Sequence, residues 1–176
     1  MKSGQVWVSA ILYLALGIVI IGIILGISLP LVNNMRDRNT YIQTKEMMSN
    51  LNKNIADVIN EGPGSRRYLS PINIEKGELH IAANDGSIIY WGFITKSKLM
   101  EPGMTFNEGD LEINLEEQTV VGEYKLTIKM DYSNVNIELI SSLSNPFAGS
   151  YSMIIENSGY ADSQSMPTIS IDMKTT

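Results

Sequence analysis

An α+β fold, with one long N-terminal helix packed on an antiparallel β-sheet head, is predicted by three features of this 176-residue chain. No charged residue occurs from Val6 to Val32. Apolar residues then recur at helical spacing as far as Ile59, and from Tyr68 onward the apolar period switches to two.

The first run covers 27 positions, where about 18 apolar residues suffice for a membrane span. Ile11 to Leu25 is apolar on every side, unlike the single stripe of a soluble core helix. A cleaved secretory signal has a shorter apolar core and ends in a small-residue site, which nothing between Leu29 and Asn34 supplies. Residues 5–33 are therefore expected to form a retained transmembrane helix. Within it Gly17, Gly22 and Gly26 are candidate helix-packing positions, and Gly22-Ile-Ile-Leu-Gly26 has the small-xxx-small spacing that lets helices approach closely in lipid. Pro30 lacks the N–H that would bond the Gly26 carbonyl, so a kink or local opening is expected there.

Residues 34–61 are predicted to continue as an amphipathic helix. Tyr41, Thr44, Met47, Met48, Leu51, Ile55, Val58 and Ile59 fall on one stripe, with Lys45, Asn52, Lys53 and Asp57 opposite. Glu61-Gly62-Pro63-Gly64 ends it, because Gly accepts the left-handed C-terminal position and Pro cannot continue the ladder. Residues 6 to 61 would make a rod of about 80 Å.

Residues 62–176 are predicted to be the β head. Alternation marks strands around Leu79–Ala83, Leu111–Leu115, Tyr124–Tyr132, Tyr151–Ile155 and Ile169–Met173, with a loop from Gly159 to Met166. Ser133-Asn134 between the Tyr124–Tyr132 strand and Val135, Ile137 and Leu139 predicts a β-hairpin. Ile88 to Ile94 is apolar on both faces, which predicts a central strand covered on its outer side as well. The helical stripe is the available cover for the sheet.

Charge divides the chain: residues 34–67 carry six basic and four acidic residues, whereas residues 68–176 carry six lysines and fifteen acidic residues. Residues 68–176, at a net charge of −9, repel nucleic acid. There is no cysteine and no Asn-x-Ser/Thr sequon, so disulfides, thiol chemistry and that glycan site are excluded. His80 is the only histidine, and alternation places it on the solvent face. With no second His and no phosphate loop, no catalytic residues, cofactor or metal are expected, and the protein is read as non-enzymatic. Asn84-Asp85-Gly86-Ser87 and Asn107-Glu108-Gly109-Asp110 suit tight turns better than calcium loops, since neither has EF-hand spacing.

Met1-Lys2-Ser3-Gly4-Gln5, followed directly by the apolar run, resembles the class III signal peptide of archaeal type IV pilins and archaellins. The resemblance covers about the first 60 residues. It implies a prepilin leader at residues 1–4, with Lys2, Ser3, Gly4 and Gln5 as the processing site, Lys2 as leader charge and Gln5 as first mature residue. Ser9 departs from the bacterial pattern, which has Glu at the fifth mature position; archaellin-like sequences often lack it. A structural subunit, major or minor, of an archaeal type IV pilus-like surface filament is the function implied. Its partners would be further copies and other pilin-like subunits through the N-terminal helices, a prepilin peptidase, the pilus assembly machinery, and membrane lipid before assembly. The alternative is a single-pass anchored β domain that binds a ligand or partner without forming filaments. Arg36, Arg38 and Lys45 outnumber Lys2 across the span, which by the positive-inside tendency favours an inside head. The leader resemblance favours an extracytoplasmic one, and that placement is the expectation.

Overall fold

The computed structural model describes residues 3–82, 87–160 and 166–176, with side chains from Trp7 onward. One helix, α1 (Ser3–Glu61), precedes eight strands: β1 (Arg66–Ala82), β2 (Ile88–Thr95), β3 (Thr105–Glu108), β4 (Leu111–Glu117), β5 (Tyr124–Asp131), β6 (Asn136–Leu139), β7 (Phe147–Tyr160) and β8 (Pro167–Thr175). The strands form one sheet in the order β3-β4-β5-β2-β1-β7-β8-β6. The fold is thus a long N-terminal helix on a mostly antiparallel sheet, an α+β arrangement.

The helix is unbroken through Pro30 and, at 59 residues, is about 88 Å long. Its C-terminal half supplies the core, where Met48, Leu51, Ile55 and Val58 are fully buried. Each such side chain contributes about 1.5–3 kcal/mol relative to exposure. Alternate residues of the strands meet them: Leu79 and Ile81, Ile89, Trp91 and Phe93, Leu126 and Ile128, Met153 and Ile155, Ile169 and Ile171. The predicted stripe therefore does bury against the sheet. The helix ends where predicted. Gly62 takes a φ of +86°, and the terminal carbonyl of Val58 accepts hydrogen bonds from Ser65 Oγ (2.7 Å) and Asn157 Nδ2 (3.2 Å). A buried asparagine of β7 thus caps α1.

β1 serves two partners in succession. Residues 66–74 pair with β7, residues 78–82 with β2, and Leu79 with both, opposite Phe147 and Trp91. The β1–β7 register shifts between Ile74 and Leu79, and Gly77 there has φ +81°. An earlier shift, between Leu69 and Ile72, surrounds Pro71, which cannot donate to the ladder.

The hairpin expected across Ser133-Asn134 does not form. β5 is flanked on both edges, by β2 and β4, and β6 instead pairs in parallel with β8 at the far edge. The turn itself exists, with Val135 N donating to Tyr132 O at 3.0 Å. Ser87 receives the chain beyond β5: its carbonyl accepts from Tyr132 N and its Oγ from Ile137 N. β5 and β6 are five strand intervals apart, about 24 Å on a flat sheet, yet the chain from Asp131 to Asn136 reaches at most about 18 Å. The sheet must curl, and it does so around the helix.

That curl explains a second correction. Lys45 and Asn52, which helical spacing places opposite the apolar stripe, are bound to the sheet rim. Lys45 Nζ donates to Glu108 at 2.8 Å and Asn52 Nδ2 to Asp110 at 2.8 Å. Asn52 Oδ1 also accepts from Tyr132 Oη (2.8 Å), a phenol whose pKa burial pushes up. Gly109-Asp110 is the two-residue turn joining β3 and β4, in line with the turn reading of that segment; Asn84, Asp85 and Gly86 lie outside the described residues. β2 is central as predicted, but its outer face is not covered: Ile88 and Tyr90 are half-buried and Ile94 is 57% exposed.

Because the core is built entirely from residues after Thr40, a fragment beginning at Met35 is expected to fold as a soluble, sheet-rich domain. Circular dichroism of the fragment checks this; a disordered chain, or helix without strand, would contradict helix-on-sheet packing.

Candidate functional site: the exposed helix and its junction with the head

From Trp7 to Arg36 every helical residue is exposed or half-buried, and nothing among the described residues covers the apolar run. One helix is therefore long and apolar enough to cross a membrane. Such a surface is stable in water only if lipid or other apolar helices enclose it.

A Cβ built on Gly17, Gly22 or Gly26 meets no atom within 4 Å. Packing inside the chain does not account for these glycines. Gly22 and Gly26 lie on one helix face, whereas Gly17, at 100° per residue, falls on the other side. Pro30 sits within the same exposed stretch and is accommodated without interrupting the helix. Of the processing positions, Lys2 lies outside the described residues, and Ser3, Gly4 and Gln5 begin α1.

Where the helix enters the head, a polar cluster fixes it. Asp37, 7% exposed, accepts hydrogen bonds from Lys76 Nζ at Oδ1 and from Thr95 Oγ1 at Oδ2, both at 2.5 Å. Ser97 Oγ lies 2.8 Å from Asp37 Oδ2 and 2.7 Å from Asn34 Oδ1, so its one proton serves either acceptor. Ser97 N donates to Thr95 Oγ1, which orients that hydroxyl toward Asp37. Lys76 also lies 4.8 Å from the Phe93 ring centroid. Burial alone would raise the Asp37 pKa, but the bonds from Lys76, Thr95 and Ser97 and the lysine charge outweigh it and hold it below its ordinary value.

Asp37 stays ionised in the fold below the pH at which it protonates in the unfolded chain, near 3.9. Its contribution is therefore complete above that value and is lost as pH falls through the lower folded pKa. Asp37→Asn is expected to destabilise helix–head docking by about 1–2 kcal/mol at pH 7, the lower part of the range for bonds to charged groups because Lys76 is part-exposed. Urea unfolding at pH 7 and near pH 2 checks this: the gap between variant and parent should shrink at acid pH.

Beside the cluster a groove of about 730 Å³ is lined by Arg36, Glu75, Lys96 and Glu123 as well as Asp37 and Lys76. Its charges balance, and Lys96 lies 3.8 Å from Glu123. His80 is on the outward side of β1, stacked on Tyr90 with ring centroids 4.6 Å apart. Sequence reasoning did not identify the Asp37 cluster; Asp37 reads only as one charge between Arg36 and Arg38. Comparison with known protein families, with curated proteins and with solved structures finds no match to the chain.

Proposed function

We propose that this protein is a structural subunit of an archaeal type IV pilus-like surface filament, inserted in the membrane before assembly, with its head outside the cytoplasm. The observation that carries this reading is the uncovered apolar helix, continuous with the helix at the heart of the head. Lipid satisfies it in the membrane, and helices of neighbouring subunits would replace that lipid in a filament core. An unbroken helix, clamped at Asp37, fixes the head relative to the span, so that packing of spans sets the arrangement of heads. The resemblance of Lys2-Ser3-Gly4-Gln5 to a pilin leader adds a processing peptidase and an assembly machinery as partners. No enzymatic role is assigned.

The second reading, a membrane-anchored binding module, draws its support from the groove beside Asp37. The N-terminus separates the two, because a plain anchor needs no pilin-type processing. Mature protein sheared from the native host's surface is expected to begin at Gln5, measured by mass spectrometry of the N-terminal peptide alongside electron microscopy of the filaments. Intact Met1 or Lys2 in most of the membrane-extracted protein would remove the filament reading's main support.

A further inference from the structure

The geometry points to a lipid contact on the head itself: the β4–β5 loop, tipped by Val120 and Val121, rests on the bilayer surface beside the span. This inference rests on Val6–Val32 crossing the membrane and adds a second, peripheral attachment to it.

Three observations place the loop. Ser97 meets Asn34, only two residues beyond Val32, so the head is docked down to the end of the apolar run. Asp37 binds Thr95, and Thr95 pairs with Tyr124, the first residue of β5. β5 then runs alongside the helix in the same direction, since Tyr132, just past its end, bonds Asn52. Residues 118–123 therefore extend from the Asp37 level back toward the membrane. Asp37 lies only about 7.5 Å along the helix from Val32, so the loop reaches headgroup depth.

The composition of this end suits that depth. Val121 is 92% exposed and Val120 58%, at the tip of a turn closed by Gln118 N to Glu123 O and Glu123 N to Val120 O. Met104 is exposed on a neighbouring connection. The adjacent lysines are balanced by acids, Lys96 by Glu123 and Lys98 by Glu101. With exposed Glu116 and Glu117 just before the loop, this end has no excess of basic charge, so its apolar tip matches a zwitterionic headgroup layer and does not require anionic lipid. Two valines are a weak contact in a free domain, but the span holds the head at the surface, so a weak contact suffices.

The absence of cysteine makes the test direct. Full-length protein in phosphatidylcholine nanodiscs carries a fluorescent label at Ile20→Cys, Thr119→Cys or Asn134→Cys, with nitroxides on the acyl chains or the headgroups. Ile20 should be quenched by acyl-chain nitroxides. Thr119 should be quenched by headgroup nitroxides at least about twofold more than Asn134, as expected for a group in the interface. Adding Val120→Asp and Val121→Asp should reduce Thr119 to the Asn134 level. Quenching at Ile20 with Thr119 no different from Asn134 overturns the docking but leaves the span. Quenching at Thr119 that survives the double aspartate change also overturns it. Absence of quenching at Ile20 overturns the span and the docking together.

Discussion

Gly77→Ala is expected to cost the head about 2–5 kcal/mol, a large share of the roughly 5–15 kcal/mol typical of a domain. Two independent effects add. At φ +81° an L side chain is disfavoured by about 1–2 kcal/mol. A Cβ at that position would also lie 2.5 Å from the Gly92 carbonyl oxygen and 2.7 Å from Phe93 Cβ, and overpacking of this kind costs about 1–3 kcal/mol. The obstacle is backbone of the neighbouring strand, so no rotamer change relieves it. Trp91, whose Nε1 donates to Lys76 O at 2.9 Å, would be displaced with it. Gly103→Ala and Gly122→Ala are the controls, because both glycines have positive φ but open space around a Cβ. They should lose only the conformational part. Urea unfolding in detergent, followed by Trp91 fluorescence in a Trp7→Phe background, separates the two. A Gly77→Ala midpoint equal to that of the controls would mean that the β1 corner relaxes without penalty.

If the protein is the proposed filament subunit, replacing Gly22 and Gly26 together by Leu should leave insertion and the head intact while sheared filaments fall to about a tenth or less, because in lipid close packing is the main attraction between helices. Within the chain both positions are open: a Cβ at either meets no other part of the described subunit within 4 Å beyond the adjacent helix backbone. A loss of filaments with insertion and the head preserved would therefore point to contacts between subunits. Gly17→Leu, on the other side of the helix, reports whether one face or the whole surface is used. Comparing sheared filaments with membrane-retained protein in the native host reads the effect. Normal filament yield from the double variant would mark these glycines as ordinary membrane-helix residues and favour the anchored binding module.

Local patterns were legible wherever one residue's fate depends on near neighbours. Met48, Leu51, Ile55 and Val58 are core because helical spacing puts them on one stripe, and they are fully buried. The end of α1 at Glu61 was legible from Gly62 and Pro63, and the buried alternates of β4 and β5 from period two. The first half of β1 and all of β3 were not legible. Pro71 interrupts the alternation of one, and the other is four exposed residues at an edge.

By itself the sequence determined that a helix apolar on every side leads into an amphipathic one, and that a β head follows whose inner faces are apolar. These are consequences of side-chain periodicity, which is set by backbone geometry within a few residues. The tertiary structure alone decided which strand edges were free. The Ser133-Asn134 turn is present, but β5 had no edge left for β6, a matter settled by β2 and β4. It alone decided the state of Asp37 as well, since Lys76, Thr95 and Ser97 lie 39, 58 and 60 residues away in the chain. A carboxylate beside two arginines reads as solvated surface; only the curl of the sheet around the helix brings three donors to it and makes it the clamp between the apolar run and the head.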